Sequence, residues 1–127
     1  MTYYKSEFFR IDEYKCKCGC GLCNMHDNAL KDLDKIRTAY GKSMVITSGC
    51  RCEVHNKKVG GAKNSAHLPQ KDKWCYAVDI KCDNSEDRFK LIQIAYEQGC
   101  VRIGIHKDFI HLDFSPYLPQ RVVWLYA

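Results

Sequence analysis

The chain has 127 residues, enough for one domain around a single buried core and too few for two lobes. Twenty Lys and Arg against fifteen Asp and Glu give a formal charge of +5, which favours an anionic polymer as partner, nucleic acid or bacterial cell wall, without choosing between them. Charge interrupts every apolar run of MTYYKSEFFRIDEYK at 1–15, which excludes a membrane span or a secretory signal there; the expectation is a protein made in soluble form, with no membrane partner.

Residues 1–15 read as an N-terminal arm whose aromatics, Tyr3, Tyr4, Phe8, Phe9 and Tyr14, pack on the domain edge without firm structure. CKCGCGLC at 16–23 is too rich in glycine and cysteine for a regular element and reads as a tight loop. With Asp27 as expected N-cap, Leu30, Leu33, Ile36, Arg37 and Tyr40 recur at three and four, which predicts a core-facing helix ended by Gly41. MVITS at 44–48 is a β-branched run and predicts a buried strand delivering Ser48, Gly49, Cys50 and Arg51. A short helix over 52–59 then stops at Gly60 and Gly61, and a polar loop leads to Ser65 and His67.

After PQKDKWC, the run YAVDIKC alternates as a strand does, with Tyr76, Val78 and Ile80 on one face and Ala77 and Asp79 on the other. Asp79 therefore stands mid-strand, where a carboxylate is unusual without a task. Asn84 or Ser85 caps a second long helix through Phe89, Ile92, Ala95 and Tyr96, closed by Gly99. VRIGIH and FIHLDF predict a hairpin turning at Lys107 and Asp108, and VVWLYA adds a last strand. The expected architecture is one α+β domain over 1–127, a mainly antiparallel sheet with two longer helices.

Zinc hydrolases commonly fix the metal with three protein ligands and leave a fourth position for water. His67, Asp79 and His111 can supply such a set, with Asp108 three residues before His111. On residue type alone the set stays open, because a histidine on a strand is more often packed or hydrogen-bonded than metallated.

The run TSGCRCEVHNKKVGGAKNSAHL, then YAVDI, then RIGIHKDFIHLDF, resembles the M15 family of zinc D,D-carboxypeptidases and L-alanyl-D-glutamate endopeptidases, which cut peptidoglycan stem peptides. The similarity is closest to small single-domain members from bacteriophages and bacteria, spans roughly residues 13–114, and rests on SG-x-R, N-x-x-VGGA, S-x-H, A-x-D and H-x-D in this order. The resemblance implies a hedgehog/DD-peptidase-like fold and a Zn2+ cofactor held by His67, Asp79 and His111. It makes Arg51 the substrate-contacting, oxyanion-stabilising arginine and Asp108 the general base, with His106 a second candidate for proton transfer. It implies a peptidoglycan peptide as partner and action on the cell wall; a monomer is expected, and nucleic acid is disfavoured because the lysines are spread from Lys5 to Lys107 without a clustered stripe.

Two departures stand out. His67 and Asp79 are twelve residues apart, wider than the family spacing, which reads as a five-residue loop insertion; Asp72 is the competing ligand, in a lysine-rich loop. Trp74 and Tyr76 then either pack the loop down or cover substrate. Cys50 stands where an aromatic is common.

Ser65 is expected to hydrogen-bond near the first ligand and Asp113 to orient a ligand imidazole. His26 and His55 read as solvated. Cys16, Cys18, Cys20 and Cys23 admit three readings: disulfides to Cys50, Cys52 or Cys75, reduced thiols, or a second zinc, the last strained by four ligands within eight residues. Cys82 and Cys100 read as buried thiols. The rival functions are a zinc-knuckle module binding nucleic acid through its basic surface, and a non-catalytic wall-binding protein of the same fold.

Overall fold

The computed structural model describes residues 4–126, so that Tyr3 of the arm lies outside the described residues. In chain order it contains α1 (Ile11–Tyr14), α2 (Asp27–Tyr40), β1 (Ile46–Ser48), α3 (Glu53–Lys58), β2 (Ala77–Lys81), α4 (Ser85–Glu97), β3 (Arg102–Ile105), β4 (Phe109–Asp113) and β5 (Val122–Leu125). None of these helices is long and apolar enough to cross a membrane.

The stripe on α2 buries Leu30, Leu33, Ile36 and Tyr40, and Gly41 ends the helix in the left-handed conformation at φ 77°. Its N-cap is His26 rather than Asp27: the His26 Nδ1 accepts from the Asn28 amide at 3.0 Å, and the ring stacks on Tyr76 at 4.7 Å, so this histidine is not simply solvated. Asp34, buried on the same helix, accepts hydrogen bonds from Tyr4 Oη, Ser6 Oγ and the Glu7 amide. The arm is therefore pinned rather than loosely apposed. Phe9 and Tyr14 are buried beneath it.

The five strands form one sheet in the order β1-β2-β4-β3-β5. The β1–β2, β2–β4 and β3–β4 pairs are antiparallel, the last closing the expected hairpin, but β5 runs parallel to β3. The sheet is thus mixed, not mainly antiparallel. Residues 114–121 carry the chain back beside the start of β3 before β5 begins, and only a parallel alignment is then open to it.

Helix α4 packs on α2, and its buried residues match the expected stripe only in part. Asn84 caps it, with its side chain accepting from the Asp87 amide at 2.9 Å, and Leu91 and Ala95 are its buried residues. Phe89 and Tyr96 are instead exposed. Beneath the helices, Val78, Ile80, Ile110 and Leu112 fill the core from the central strands β2 and β4.

Candidate metal centre

Cross-strand partners share a face of a sheet, and here the pairing aligns Ser48, Asp79, His111, Gly104 and Trp124 in one row across all five strands. Asp79 and His111 are direct neighbours in that row. His67 comes from the loop above it. Its own amide donates to Ser65 Oγ at 3.1 Å, its carbonyl accepts from the Arg51 amide at 2.8 Å, and the next anchor is Tyr76 N to Ala66 O at 3.0 Å. The loop is thereby clamped on both sides of the imidazole.

The three side chains are 2–4% exposed and converge at one point. His67 Nε2 lies 3.2 Å from Asp79 Oδ1 and 3.2 Å from His111 Nδ1, and His111 Nδ1 lies 2.9 Å from Asp79 Oδ1. Each ring's other nitrogen has a partner that can only accept: Gly49 O at 2.6 Å from His67 Nδ1, and Asp113 Oδ2 at 2.9 Å from His111 Nε2. In the neutral rings those outer nitrogens therefore carry the protons. Three lone pairs then face one another in a buried space, an arrangement that repels unless a cation sits among them.

A tetrahedral zinc with bonds of about 2.0–2.1 Å needs ligand atoms about 3.4 Å apart, close to the observed triangle. The donor set therefore fits the metal, and its partners at Gly49 and Asp113 are those that orient ligating histidines.

The electrostatics put His67 and Asp79 in the forms that bind metal and set His111 apart. Burial pushes the His67 imidazole down, toward the neutral form that binds metal. Burial alone would raise the Asp79 carboxyl, but His67 and His111 hold it well below the usual carboxylate range. At His111 burial works against charge, yet the hydrogen bonds to Asp113 and Asp79 outweigh it and lift the imidazole.

A family model described as Peptidase M15 matches residues 3–113, most of the chain. The chain belongs to the Peptidase M15 family. A comparison with curated proteins finds no match.

In this M15 chain Arg51 joins the trio. Its Nη2 lies 3.3 Å from Asp79 Oδ2, its Nε donates to Ser48 Oγ at 2.9 Å, and its Nη1 donates to Asn56 Oδ1 at 3.1 Å. Asn56 had no role assigned from sequence. It is buried on α3, and its Nδ2 donates to Ala62 O at 3.0 Å, so it ties the arginine to the turn that follows. Gly61 makes this possible: a Cβ there would lie 2.8 Å from Arg51 Nη1 and collide with the Asn56 amide. The run N-x-x-VGGA is thus an arginine holder, and the second glycine of its pair was the available signal.

Asp113 holds His111 as expected, and is itself held by an ion pair with Arg102 Nε at 3.1 Å and by the Ser115 amide at 3.0 Å. Asp72 does not join the trio. It accepts from the Trp74 amide at 3.0 Å and from Tyr76 Oη, which folds the inserted loop on itself. The loop insertion therefore leaves Asp79 as the ligand candidate. Tyr76 is buried, in a packing position.

Asp108 and His106 lie at the hairpin turn, outside the trio's own contacts. The His106 Nδ1 accepts from the Asp108 amide at 3.0 Å and stands 3.9 Å from Asp108 Oδ2, while the Asp108 side chain is 66% exposed. His106 also stacks on Phe109 at 4.5 Å. Beyond the matched residues, Trp124 lies 5.2 Å from the His111 ring and Tyr126 lies 6.0 Å from the His106 ring, between centroids. The sequence signal for these two aromatics was only a strand-like tail. Gly104 clears the space for Trp124, since a Cβ there would lie 2.6 Å from its indole nitrogen.

Proposed function

We propose that this protein is a zinc peptidase that hydrolyses an amide bond in peptidoglycan stem peptides. The observation that carries the reading is the convergence of three potential ligand atoms, His67 Nε2, Asp79 Oδ1 and His111 Nδ1, in a buried triangle close to zinc spacing. Membership of a peptidase family supplies the reaction class. Zinc held there supplies a Lewis acid and a bound water whose pKa is lowered toward neutrality.

The chain's own groups then have distinct tasks. Arg51 is fixed through Nε and Nη1, so its remaining edge, beside Asp79, is oriented for the carbonyl oxygen on which negative charge develops. Asp108 is the general base, accepting the proton of the attacking water and returning it to the departing amine. Because the His106 Nδ1 accepts from the Asp108 amide, its neutral ring keeps the proton on Nε2, which donates toward the substrate. The positive formal charge suits an anionic wall polymer, and cell wall is the proposed place of action.

Purified protein is tested on peptidoglycan and on isolated muropeptides, with products resolved by mass spectrometry, which also identifies the bond cut. His67→Ala is expected to lose zinc from the trio and all cleavage. Asp108→Ala is expected to keep that zinc and lose about 10²–10⁴-fold in rate. Undiminished cleavage by either variant overturns the assignment. Wild-type zinc content without any cleavage makes the protein a wall-binding member of the family instead.

A further inference from the structure

Away from the trio, a second set of donors converges where the N-terminal loop meets the start of α3. Cys16 Sγ lies 3.5 Å from Cys18 Sγ and 3.9 Å from Cys52 Sγ, and Cys18 and Cys52 are 3.7 Å apart. Cys20 completes the set, with all four sulfurs within 4.8 Å of one another. Zinc–sulfur bonds of about 2.3 Å in a tetrahedron place sulfurs about 3.8 Å apart, the separation observed along those three edges.

We propose that Cys16, Cys18, Cys20 and Cys52 bind a second, structural zinc ion. Four ligands taken from the loop alone would strain a tetrahedron. Here Cys23 is left out and the fourth sulfur arrives from the N-cap of α3. Two glycines ease the remaining difficulty: Gly19, between Cys18 and Cys20, and Gly21, just after Cys20, sit at φ 87° and 88°, a conformation that turns the chain tightly around the loop's sulfurs.

The alternatives fit less well. A disulfide selects one partner for each sulfur, whereas Cys16, Cys18 and Cys52 are mutual neighbours at nearly equal distances and all nine cysteines are free. Thiols packed as small hydrophobes belong in the core, yet Cys18 and Cys20 are exposed. Backbone amides also point at the sulfurs, from Cys52 N to Cys16 Sγ at 3.5 Å and from His55 N to Cys52 Sγ at 3.4 Å, the donors that a thiolate needs.

Four protein ligands leave no open position, so the ion is structural rather than catalytic. It would tie the loop to Cys52, next to Arg51, while the Cys50 amide already donates to Tyr14 O at 2.8 Å. The proposal stands apart from the catalytic reading, because the two sites share no ligand.

Elemental analysis and native mass spectrometry of protein purified under reducing conditions test it. Wild type is expected to carry about two zinc ions per chain, and His67→Ala and the double variant Cys18→Ser/Cys20→Ser about one each, lost from different sites. Should the cysteine variant fail to fold, maleimide labelling of folded wild type decides. Cys18 and Cys20, though exposed, are expected to react at least tenfold faster once a chelator has removed zinc. Any one of four results overturns the proposal: wild-type zinc lost entirely on His67→Ala; unchanged zinc in the cysteine variant; labelling indifferent to the chelator; or disulfides among these four residues in an unreduced peptide map.

Discussion

Replacing Asp113 by asparagine tests the hydrogen-bond logic of the trio through a residue that touches no metal. Asp113 Oδ1 accepts from the Ser115 amide at 3.0 Å and forms an ion pair with Arg102, whose Nε lies 3.1 Å away, while Oδ2 faces His111 Nε2 at 2.9 Å. An asparagine has one oxygen for these two places. If the oxygen stays at the Oδ1 position, its NH2 opposes the His111 Nε2 proton, and relief requires the other tautomer, which moves the proton to Nδ1 and blocks the metal lone pair. If the amide is reversed, NH2 opposes both the Ser115 amide and Arg102.

Either way a conflict is built in, and a carboxylate that strengthens the imidazole as a ligand is lost. Loss of such a partner costs about 10–100-fold in metal affinity, or about 1.4–2.8 kcal/mol at tenfold per 1.4 kcal/mol. Zinc affinity is read by competition against a chromophoric chelator, with circular dichroism confirming the fold. The cysteine site, which Asp113 does not touch, serves as internal control. An Asp113→Asn protein that binds zinc at the trio within twofold of wild type refutes the assignment of His111 Nδ1 as ligand atom.

Three further outcomes follow from the same contacts. Gly49→Ala places a Cβ 2.7 Å from Tyr14 Cα and closer still to its carbonyl oxygen, so the backbones must part; a loss of about 2–3 kcal/mol in a urea melt is expected, with weaker zinc binding because Gly49 O also holds His67. Asn56→Ala frees one arm of Arg51 and strands Ala62 O; kcat is expected to fall about tenfold or more with zinc retained, since the arginine is loosened while the ligands are untouched. Asp34→Ala removes the acceptor of Tyr4, Ser6 and the Glu7 amide, which should cost about 2–4 kcal/mol and admit protease to residues 4–10 before the rest of the domain.

The convergence of His67, Asp79 and His111 was legible because each carries a local mark: a carboxylate mid-strand at Asp79, a histidine within FIHLD, and a histidine closing the polar loop before β2. Strand alternation then left Asp79 and His111 able to share a face. Other features depend on partners distant in the chain. The run VVWLYA alternates in the same way whether its strand is parallel or antiparallel, so its direction was hidden until residues 114–121 were seen to return it beside β3. On α4 the expected stripe of Phe89, Ile92, Ala95 and Tyr96 is buried at Ala95 and in part at Ile92, while Leu91 is buried beside them and the two aromatics stay outside. Asn56 lay in a recognisable motif, but an asparagine on a short polar helix gives no sign that an arginine five residues earlier needs an acceptor.

Five consecutive residues, Ser48 to Cys52, connect these observations into one device. Ser48 and Arg51 hold each other at 2.9 Å, Gly49 fixes the His67 tautomer, Cys50 is pinned to Tyr14, Arg51 reaches Asp79, and Cys52 belongs to the cysteine cluster. Beyond Ser48, which ends β1 against Asp79, residues 49–52 connect β1 to α3 with no ladder of their own, so without these ties they would be free to shift. A catalytic arginine misplaced by about 1 Å can cost a hundredfold in rate. With the four-sulfur site proposed above, the segment would be ordered from both ends, by the sheet row on one side and the metal on the other, and the arginine proposed to meet the substrate would be set in advance. In a chain this small, where one core must both fold the domain and aim its side chains, the proposed structural ion, held in part by the residue next to Arg51, would serve positioning as much as stability.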